Sequence, residues 1–201
     1  MNTIGILAYG SLIEDPGQKI LNLSIRRITT TTPFPIEFAR TSSTRDNAPT
    51  LIPVAHGKGS RAQILVLQPD TTFEQAADIL YQRETRQTRR NYRRPADEAI
   101  TINTVLIDSL SEFEDVQTVL FTRIGSNIPN LTPHTLAEFA IQSASSPAGA
   151  NRMDGINYLM TARRNGIKTA LSNDYEQQIL HLTGASNLEE AYNFCRTNRN
   201  Q

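Results

Sequence analysis

The stretch Ile-Gly-Ile-Leu-Ala-Tyr-Gly-Ser-Leu-Ile, residues 4–13, decides the fold because it predicts a buried strand that runs straight into a tight loop. Residues 4–8 are apolar, as in a buried strand, and Tyr9, Gly10 and Ser11 interrupt this run with turn residues. Glycine permits a positive φ and lets a ligand approach consecutive backbone N–H groups, which can cradle an anion. An ordinary turn from a strand to a helix fits the same residues, so both interpretations stand.

A second informative stretch begins at Thr71, where Thr71 and Glu74 have the spacing of a capping box and predict the start of a helix. The apolar side chains that share one stripe of this helix are Phe73, Ala76, Ala77 and Leu80. At about 100° per residue, Glu84 falls within about 20° of Phe73 on the same face. The pattern therefore predicts a carboxylate that points toward the core.

A carboxylate on an apolar face needs a physical reason, because burying an unpaired charge is costly. Arg83 and Arg86 lie off the apolar stripe, so we predict that neither arginine neutralises Glu84 merely because it is close in sequence. A structural alternative is that Glu84 ends the helix in solvent or pairs with one of these arginines. The functional alternative is that Glu84 carries out chemistry.

Two motifs together resemble the gamma-glutamylcyclotransferase family, particularly its glutathione-degrading branch. They are Y-G-S-L at residues 9–12, directly after an apolar strand, and I-L-Y-Q-R-E-T-R at residues 79–86. The resemblance implies an α+β fold, a mixed β-barrel with surrounding helices, in one domain that spans residues 1–201. It implies Glu84 as the catalytic residue. The substrate-binding residues that it implies are Tyr9, Gly10, Ser11, Leu12 and Tyr92.

The reaction that this resemblance implies needs no protein nucleophile, metal or cofactor. The α-amine of a gamma-glutamyl compound attacks its own side-chain carbonyl, closes the ring of 5-oxoproline and expels an amine or amino acid. Well-oriented intramolecular attack reaches effective molarities of about 10⁵ to 10⁸ M. The enzyme must then fold the substrate and move a proton, a task for Glu84 as general acid and base. The sequence leaves open whether the donor is glutathione, a gamma-glutamyl amino acid, a gamma-glutamylamine or a carrier-bound group.

Composition bounds the possible partners and location. The chain has 201 residues with 20 Lys and Arg and 20 Asp and Glu, so its formal net charge is zero and predicts neither nucleic acid nor a membrane as a partner. Cys195 is the one cysteine, and the three histidines have no metal-ligand spacing. No signal peptide and no transmembrane run is evident, so we predict a cytoplasmic protein. The sequence does not indicate an oligomeric state.

Six arginines make residues 83–94 a basic patch in an otherwise neutral chain: Arg83, Arg86, Arg89, Arg90, Arg93 and Arg94. The patch fits a solvated loop, a site for an acidic substrate or partner, or a nucleic-acid contact. Two functional alternatives follow, a non-catalytic binding protein on the same fold and a nucleic-acid-binding module. Tyr92 fits either a substrate contact or an ordinary tyrosine at the entry to a strand.

The remaining pattern predicts strands first and helices later, which is typical of an α+β fold. Extended segments are predicted at residues 25–40, 51–55, 62–67, 99–108 and 116–124, with a short helix at 16–23. Helices are predicted at residues 132–143, 154–165, 172–183 and 187–196. We expect 51–55 and 62–67 to pair as a hairpin, 25–40 to lie at a sheet edge, and 40–47 and 143–150 to form loops. Tyr158 and Cys195 are expected in the core.

Overall fold

A computed structural model of the chain describes residues 3–197, within which seven strands and seven helices form. The strands are β1 (Ile4–Ala8), β2 (Ser24–Thr31), β3 (Ile36–Ser42), β4 (Ala48–Pro53), β5 (Arg61–Leu67), β6 (Leu106–Phe113) and β7 (Val116–Arg123). The helices are α1 (Gln18–Leu23), α2 (Phe73–Thr85), α3 (Pro133–Ala144), α4 (Pro147–Ala150), α5 (Gly155–Arg164), α6 (Ser172–Thr183) and α7 (Leu188–Thr197). This mixture confirms the predicted α+β class.

Contacts within the chain divide it into two compact units, the first made of Met1–Pro33 and Arg61–Gly125, the second of Phe34–Ser60 and Ser126–Gln201. The first unit holds five strands with α1 and α2, and the second holds β3, β4 and the remaining helices. One domain over the whole chain stays a prediction. In residues 3–197 no helix has the length and apolar character needed to cross a membrane.

β1 is the central strand of the sheet in the first unit, and it forms where the apolar run at residues 4–8 predicts a buried strand. Its strand order is β2-β5-β1-β7-β6, with β1 antiparallel to β5 and parallel to β7. All five residues of β1 are buried, so both faces of this central strand are covered. The edge position predicted for residues 25–40 is confirmed for β2, which pairs with β5 alone. The single extended segment predicted there is wrong, because β3 begins at Ile36 and belongs to the other sheet. Within residues 3–197 no pairing joins β2 to β6, so the sheet is mixed but no closed barrel is found.

The predicted hairpin between residues 51–55 and 62–67 is wrong. β4 pairs with β3 in a separate two-stranded sheet, whereas β5 pairs with β1 and β2. Alternation and turn residues reveal a strand but do not identify its partner, so two strands that are adjacent in sequence need not pair with each other. The loop predicted at 40–47 is also shorter than expected, because β3 continues to Ser42.

The segment before the last hairpin of the first unit departs from its prediction as well. Most of the strand predicted at 99–108 is absent, because Asp97–Ala99 form a 3₁₀ turn and β6 begins at Leu106. β6 and β7 pair as a hairpin across Glu114 and Asp115, both with positive φ.

Helix α2 forms where the capping pattern predicts it, but its N-cap is shifted by one residue. Thr72, not Thr71, caps the helix and forms the capping box with Gln75 instead of Glu74. Phe73 is the first helical residue and is 41% exposed, so its predicted place in the core is wrong. The other predicted stripe residues, Ala76, Ala77 and Leu80, are buried.

In the second unit the helical predictions are confirmed at α3, α5, α6 and α7. Thr132 and Asp154 cap α3 and α5 with their side chains, and Gly184 ends α6 with a φ of 67°. The loop predicted at 143–150 contains the additional short helix α4. The predicted core residues Tyr158 and Cys195 are both buried.

Candidate active site

The loop at residues 9–12, which we call the 9–12 loop, leaves the end of β1 and is fixed there by Tyr9. Tyr9 is buried, and its hydroxyl donates a hydrogen bond of 2.7 Å to the carbonyl oxygen of Thr122 on β7. Gly10 has a φ of 59°, in the positive range that glycine permits, and Gly10–Leu12 form a 3₁₀ turn. Leu12 is buried in the core. Glycine is suited to position 10 because a Cβ disfavours this backbone conformation.

Two backbone donors of the 9–12 loop have no partner in the described part of the chain. The N–H of Leu12 donates to the carbonyl oxygen of Tyr9, and the N–H of Ile13 donates to that of Gly10, both at 3.3 Å. Within residues 3–197, the N–H groups of Gly10 and Ser11 make no hydrogen bond. Gly10 is buried, and buried backbone N–H groups are nearly always paired. Consecutive free N–H groups at a positive-φ residue form a concave site suited to an anion.

Glu84 lies near the C-terminal end of α2 with 23% of its side chain exposed. Its Oε1 accepts a hydrogen bond of 2.8 Å from the guanidinium of Arg83. The expectation that Arg83 does not pair with Glu84 is therefore wrong. Adjacent residues of a helix point about 100° apart, but the arginine side chain is long enough to reach its neighbour's carboxylate. The second oxygen, Oε2, accepts no hydrogen bond from any residue of the 3–197 range. That oxygen is the part of Glu84 available to exchange a proton.

Arg83 also binds the other half of the candidate site. Its terminal nitrogen donates a hydrogen bond of 3.1 Å to Oγ of Ser11. Two further hydrogen bonds, of 2.6 and 3.1 Å, reach the carbonyl oxygen of Asp15. One guanidinium therefore contacts both the 9–12 loop and Glu84. Helical periodicity does not predict this bridging role of Arg83, because it does not show how far a side chain reaches at a helix end.

Tyr92 lies apart from this network. Its hydroxyl accepts a hydrogen bond of 3.1 Å from the N–H of Ile107, and its own N–H donates to Asp78 at 2.6 Å. Its ring packs 5.4 Å from that of Tyr81 on α2. No hydrogen bond among residues 3–197 joins Tyr92 to Glu84 or to the 9–12 loop. These contacts fix the segment after α2 against α2 and β6.

A second charged cluster surrounds Asp108 on β6. Its carboxylate forms ion pairs with the guanidinium groups of Arg94, at an N–O distance of 2.7 Å, and of Arg123, at 2.6 Å. Burial alone raises the pKa of Asp108, but the hydrogen bonds and charges of Arg123 and Arg94 outweigh burial and lower the pKa below its ordinary value. The basic patch is thus not uniform, since Arg83 and Arg94 have carboxylate partners. No group of three or more metal-ligating side chains suited to hold a metal ion occurs in the described part of the chain.

Comparison with known proteins adds no relative: no family model, curated protein or solved structure matches this chain. The resemblance to the gamma-glutamylcyclotransferase family stays a prediction that rests on the motifs at residues 9–12 and 79–86.

Proposed function

We propose that this chain is a gamma-glutamylcyclotransferase-like enzyme, with the mixed-barrel fold of that family, that converts a gamma-glutamyl compound to 5-oxoproline in the cytoplasm without a cofactor. The observation that carries the proposal is that Arg83 donates to both Ser11 and Glu84, at 3.1 and 2.8 Å. The 9–12 loop and Glu84, which the family resemblance selected as cradle and catalytic residue, therefore share one guanidinium.

Substrate binding follows from the donors around this guanidinium. The free N–H groups of Gly10 and Ser11 suit the α-carboxylate of the gamma-glutamyl group, because charge-assisted hydrogen bonds to a carboxylate are strong. Arg83 adds positive charge beside them. A carboxylate held there leaves the α-ammonium and the side-chain carbonyl of the substrate to fold toward Glu84. Holding the two reacting groups together supplies most of the rate advantage in an intramolecular reaction.

Glu84 is the proposed proton carrier. Its Oε2 takes a proton from the α-ammonium, and the neutral amine then attacks the side-chain carbonyl carbon to form the ring C–N bond. Collapse of the tetrahedral intermediate breaks the bond to the leaving nitrogen. Two protons leave the attacking nitrogen and two reach the leaving nitrogen, carried in turn by Oε2, so the products are 5-oxoproline and a protonated amine. Arg83 holds Oε1 and so orients the carboxylate.

The test is release of 5-oxoproline from a panel of gamma-glutamyl compounds by the wild-type protein and by Glu84→Gln. We expect the substitution to lower kcat by about 10² to 10⁴, the usual contribution of a general acid and base. Glu74→Gln is the matched control, because Glu74 is exposed in the first turn of the same helix. Release that is equal in the wild type and in Glu84→Gln would exclude Glu84 as the proton carrier.

One observation favours a second candidate, a non-catalytic protein that binds a small anion in the 9–12 loop. Arg83 occupies one oxygen of Glu84, so Glu84 also suits a purely structural role in which it holds Arg83 beside the loop. This alternative predicts that 5-oxoproline and glutamate bind with one-to-one stoichiometry while no donor in the panel is turned over. Calorimetric titration beside the release assay distinguishes the two candidates.

A further inference from the structure

The segment that follows α2 forms a concave surface of positive charge. A cavity of about 510 Å³ is lined by Tyr81, Arg89, Arg90, Asn91 and Arg93. The cavity is open to solvent, since Arg89, Arg90 and Arg93 are exposed, and its volume lies within the range of about 300 to 1,000 Å³ that small-molecule sites occupy. No carboxylate side chain belongs to the lining.

Among the residues that the structure describes, the three arginines of this cavity have no carboxylate partner, unlike two of their neighbours. Within residues 3–197 the side chains of Arg89 and Arg93 make no hydrogen bond or ion pair, and that of Arg90 reaches only the amide oxygen of Gln87, at 3.4 Å. Arg83 and Arg94, by contrast, are each paired with a carboxylate. Three like charges around one cavity repel each other, and a ligand with two or more negative groups relieves that repulsion.

Hydrogen bonds to α2 hold this segment in place. The side-chain amide of Gln82 donates a hydrogen bond of 3.2 Å to the carbonyl oxygen of Arg90. The carboxylate of Asp78 accepts a hydrogen bond of 2.6 Å from the N–H of Tyr92. The ring of Tyr92 packs on that of Tyr81, which lines the cavity. Arg89, Arg90 and Arg93 are therefore carried on a backbone that is attached to α2 at two points.

The cavity begins one helical turn from the proposed proton carrier. Tyr81 precedes Glu84 by three residues on α2, and side chains at this spacing are neighbours on a helix, with Cβ atoms about 5 to 6 Å apart. A substrate whose reacting carbonyl is near Glu84 can therefore extend its leaving group toward the arginines.

We infer that the cavity binds an acidic leaving group, so that the preferred substrates are gamma-glutamyl compounds whose released amine is an acidic amino acid or a short acidic peptide. This inference rests on the proposed function. Carboxylate groups of the leaving amine pair with Arg89, Arg90 and Arg93, while the gamma-glutamyl end lies at the 9–12 loop. Arginine suits this task because its planar fork binds a carboxylate through two hydrogen bonds.

The test compares kinetics for gamma-glutamylglutamate and for gamma-glutamylglutamine, which has nearly the same shape but one negative charge fewer. We expect the double substitution Arg89→Gln and Arg93→Gln to raise KM for gamma-glutamylglutamate about tenfold and to change kcat less than about twofold. The rise in KM for gamma-glutamylglutamine should be clearly smaller, because its leaving group keeps only one carboxylate. Arg86→Gln is the matched control, because this exposed arginine is outside the cavity lining. Equal changes for both substrates would overturn the inference.

A binding experiment keeps this inference separate from the proposed function. Calorimetric titration with triglutamate uses no catalytic step, so it is informative even if no donor releases 5-oxoproline, the outcome that would exclude the proposed enzyme. Binding that persists in Glu84→Gln and weakens about tenfold in the double arginine variant supports an acidic ligand in the cavity. Binding that the double variant retains, or tighter binding of single-stranded DNA than of triglutamate, would overturn it.

Discussion

Glu37 on β3 and Glu84 near the end of α2 are both largely withdrawn from solvent, yet their hydrogen bonds differ. Glu37 is 5% exposed, and both of its oxygens accept hydrogen bonds: Oε1 from the N–H of Phe38 and the hydroxyl of Thr169, and Oε2 from the N–H of Leu171. The side chain of Glu84 is 23% exposed, and within residues 3–197 Oε1 accepts a hydrogen bond, from Arg83, while Oε2 accepts none.

The difference separates two uses of a carboxylate. Both carboxylate oxygens of Glu37 accept hydrogen bonds that join β3 to the turn before α6, which is a structural role. At Glu84 one oxygen is held and the other is open, which is the arrangement that a proton carrier needs. Burial alone would have selected Glu37 as the more unusual group. Counting hydrogen-bond partners selects Glu84 instead.

The largest stability effect is expected at Glu37. Glu37→Gln replaces one acceptor oxygen by an NH₂ group that faces a donor, so we expect a loss of about 1 to 3 kcal/mol in the free energy of unfolding. Urea unfolding measures this loss, with Glu138→Gln as the control because Glu138 is exposed. A Glu37→Gln variant as stable as the wild type would contradict the structural role assigned to Glu37.

The next effect is expected at Arg83, which holds the open arrangement of Glu84. Arg83→Lys keeps the charge but cannot reach Ser11, Glu84 and Asp15 together, because lysine lacks the planar fork. We expect kcat/KM for 5-oxoproline release to fall about tenfold or more, since the cradle and the carboxylate lose their common partner. Arg86→Lys is the control, and unchanged kinetics in Arg83→Lys would show that this bridge has no role in the reaction.

The smallest effect is expected for an alanine at Gly10, in the 9–12 loop beside Glu84. Gly10 and Gly184 both have positive φ, 59° and 67°, so an alanine at either position should cost about 1 to 2 kcal/mol of stability. Only Gly10→Ala is expected to raise KM, because Gly184 ends α6 in the other unit and a Cβ there meets no atom within 4 Å. Thermal unfolding and release kinetics on both variants check this, and an unchanged KM in Gly10→Ala would argue against the cradle.

Local signals predicted the helices well and the strand pairings poorly. Side-chain caps at Thr132 and Asp154 and the glycine at 184 lie within a few residues of the helix ends that they define, so the sequence contains them directly. The pairing of β5 with β1 and β2 joins segments that are distant in sequence, and no local pattern reveals it. For that reason the predicted hairpin failed although both strands exist.

The candidate site was predicted in its parts but not in its connections. The motif at residues 9–12 and the helical position of Glu84 were available from the sequence, whereas the bridge through Arg83 depends on side-chain reach at a helix end. Glu37 gave no signal at all, because its partners Thr169 and Leu171 are far along the chain. Tyr92 was chosen as a substrate contact, and the hydrogen bond that its hydroxyl accepts from Ile107 fits a structural role equally well.

The most direct measurement is 5-oxoproline release, per folded molecule, by Glu84→Gln and Glu37→Gln side by side, with the unfolding free energy of each. We predict a crossed result: Glu84→Gln loses about 10² to 10⁴ in kcat and keeps its stability, whereas Glu37→Gln loses stability and keeps its turnover. Turnover that survives in Glu84→Gln but disappears in folded Glu37→Gln would contradict the assignment of the two carboxylates.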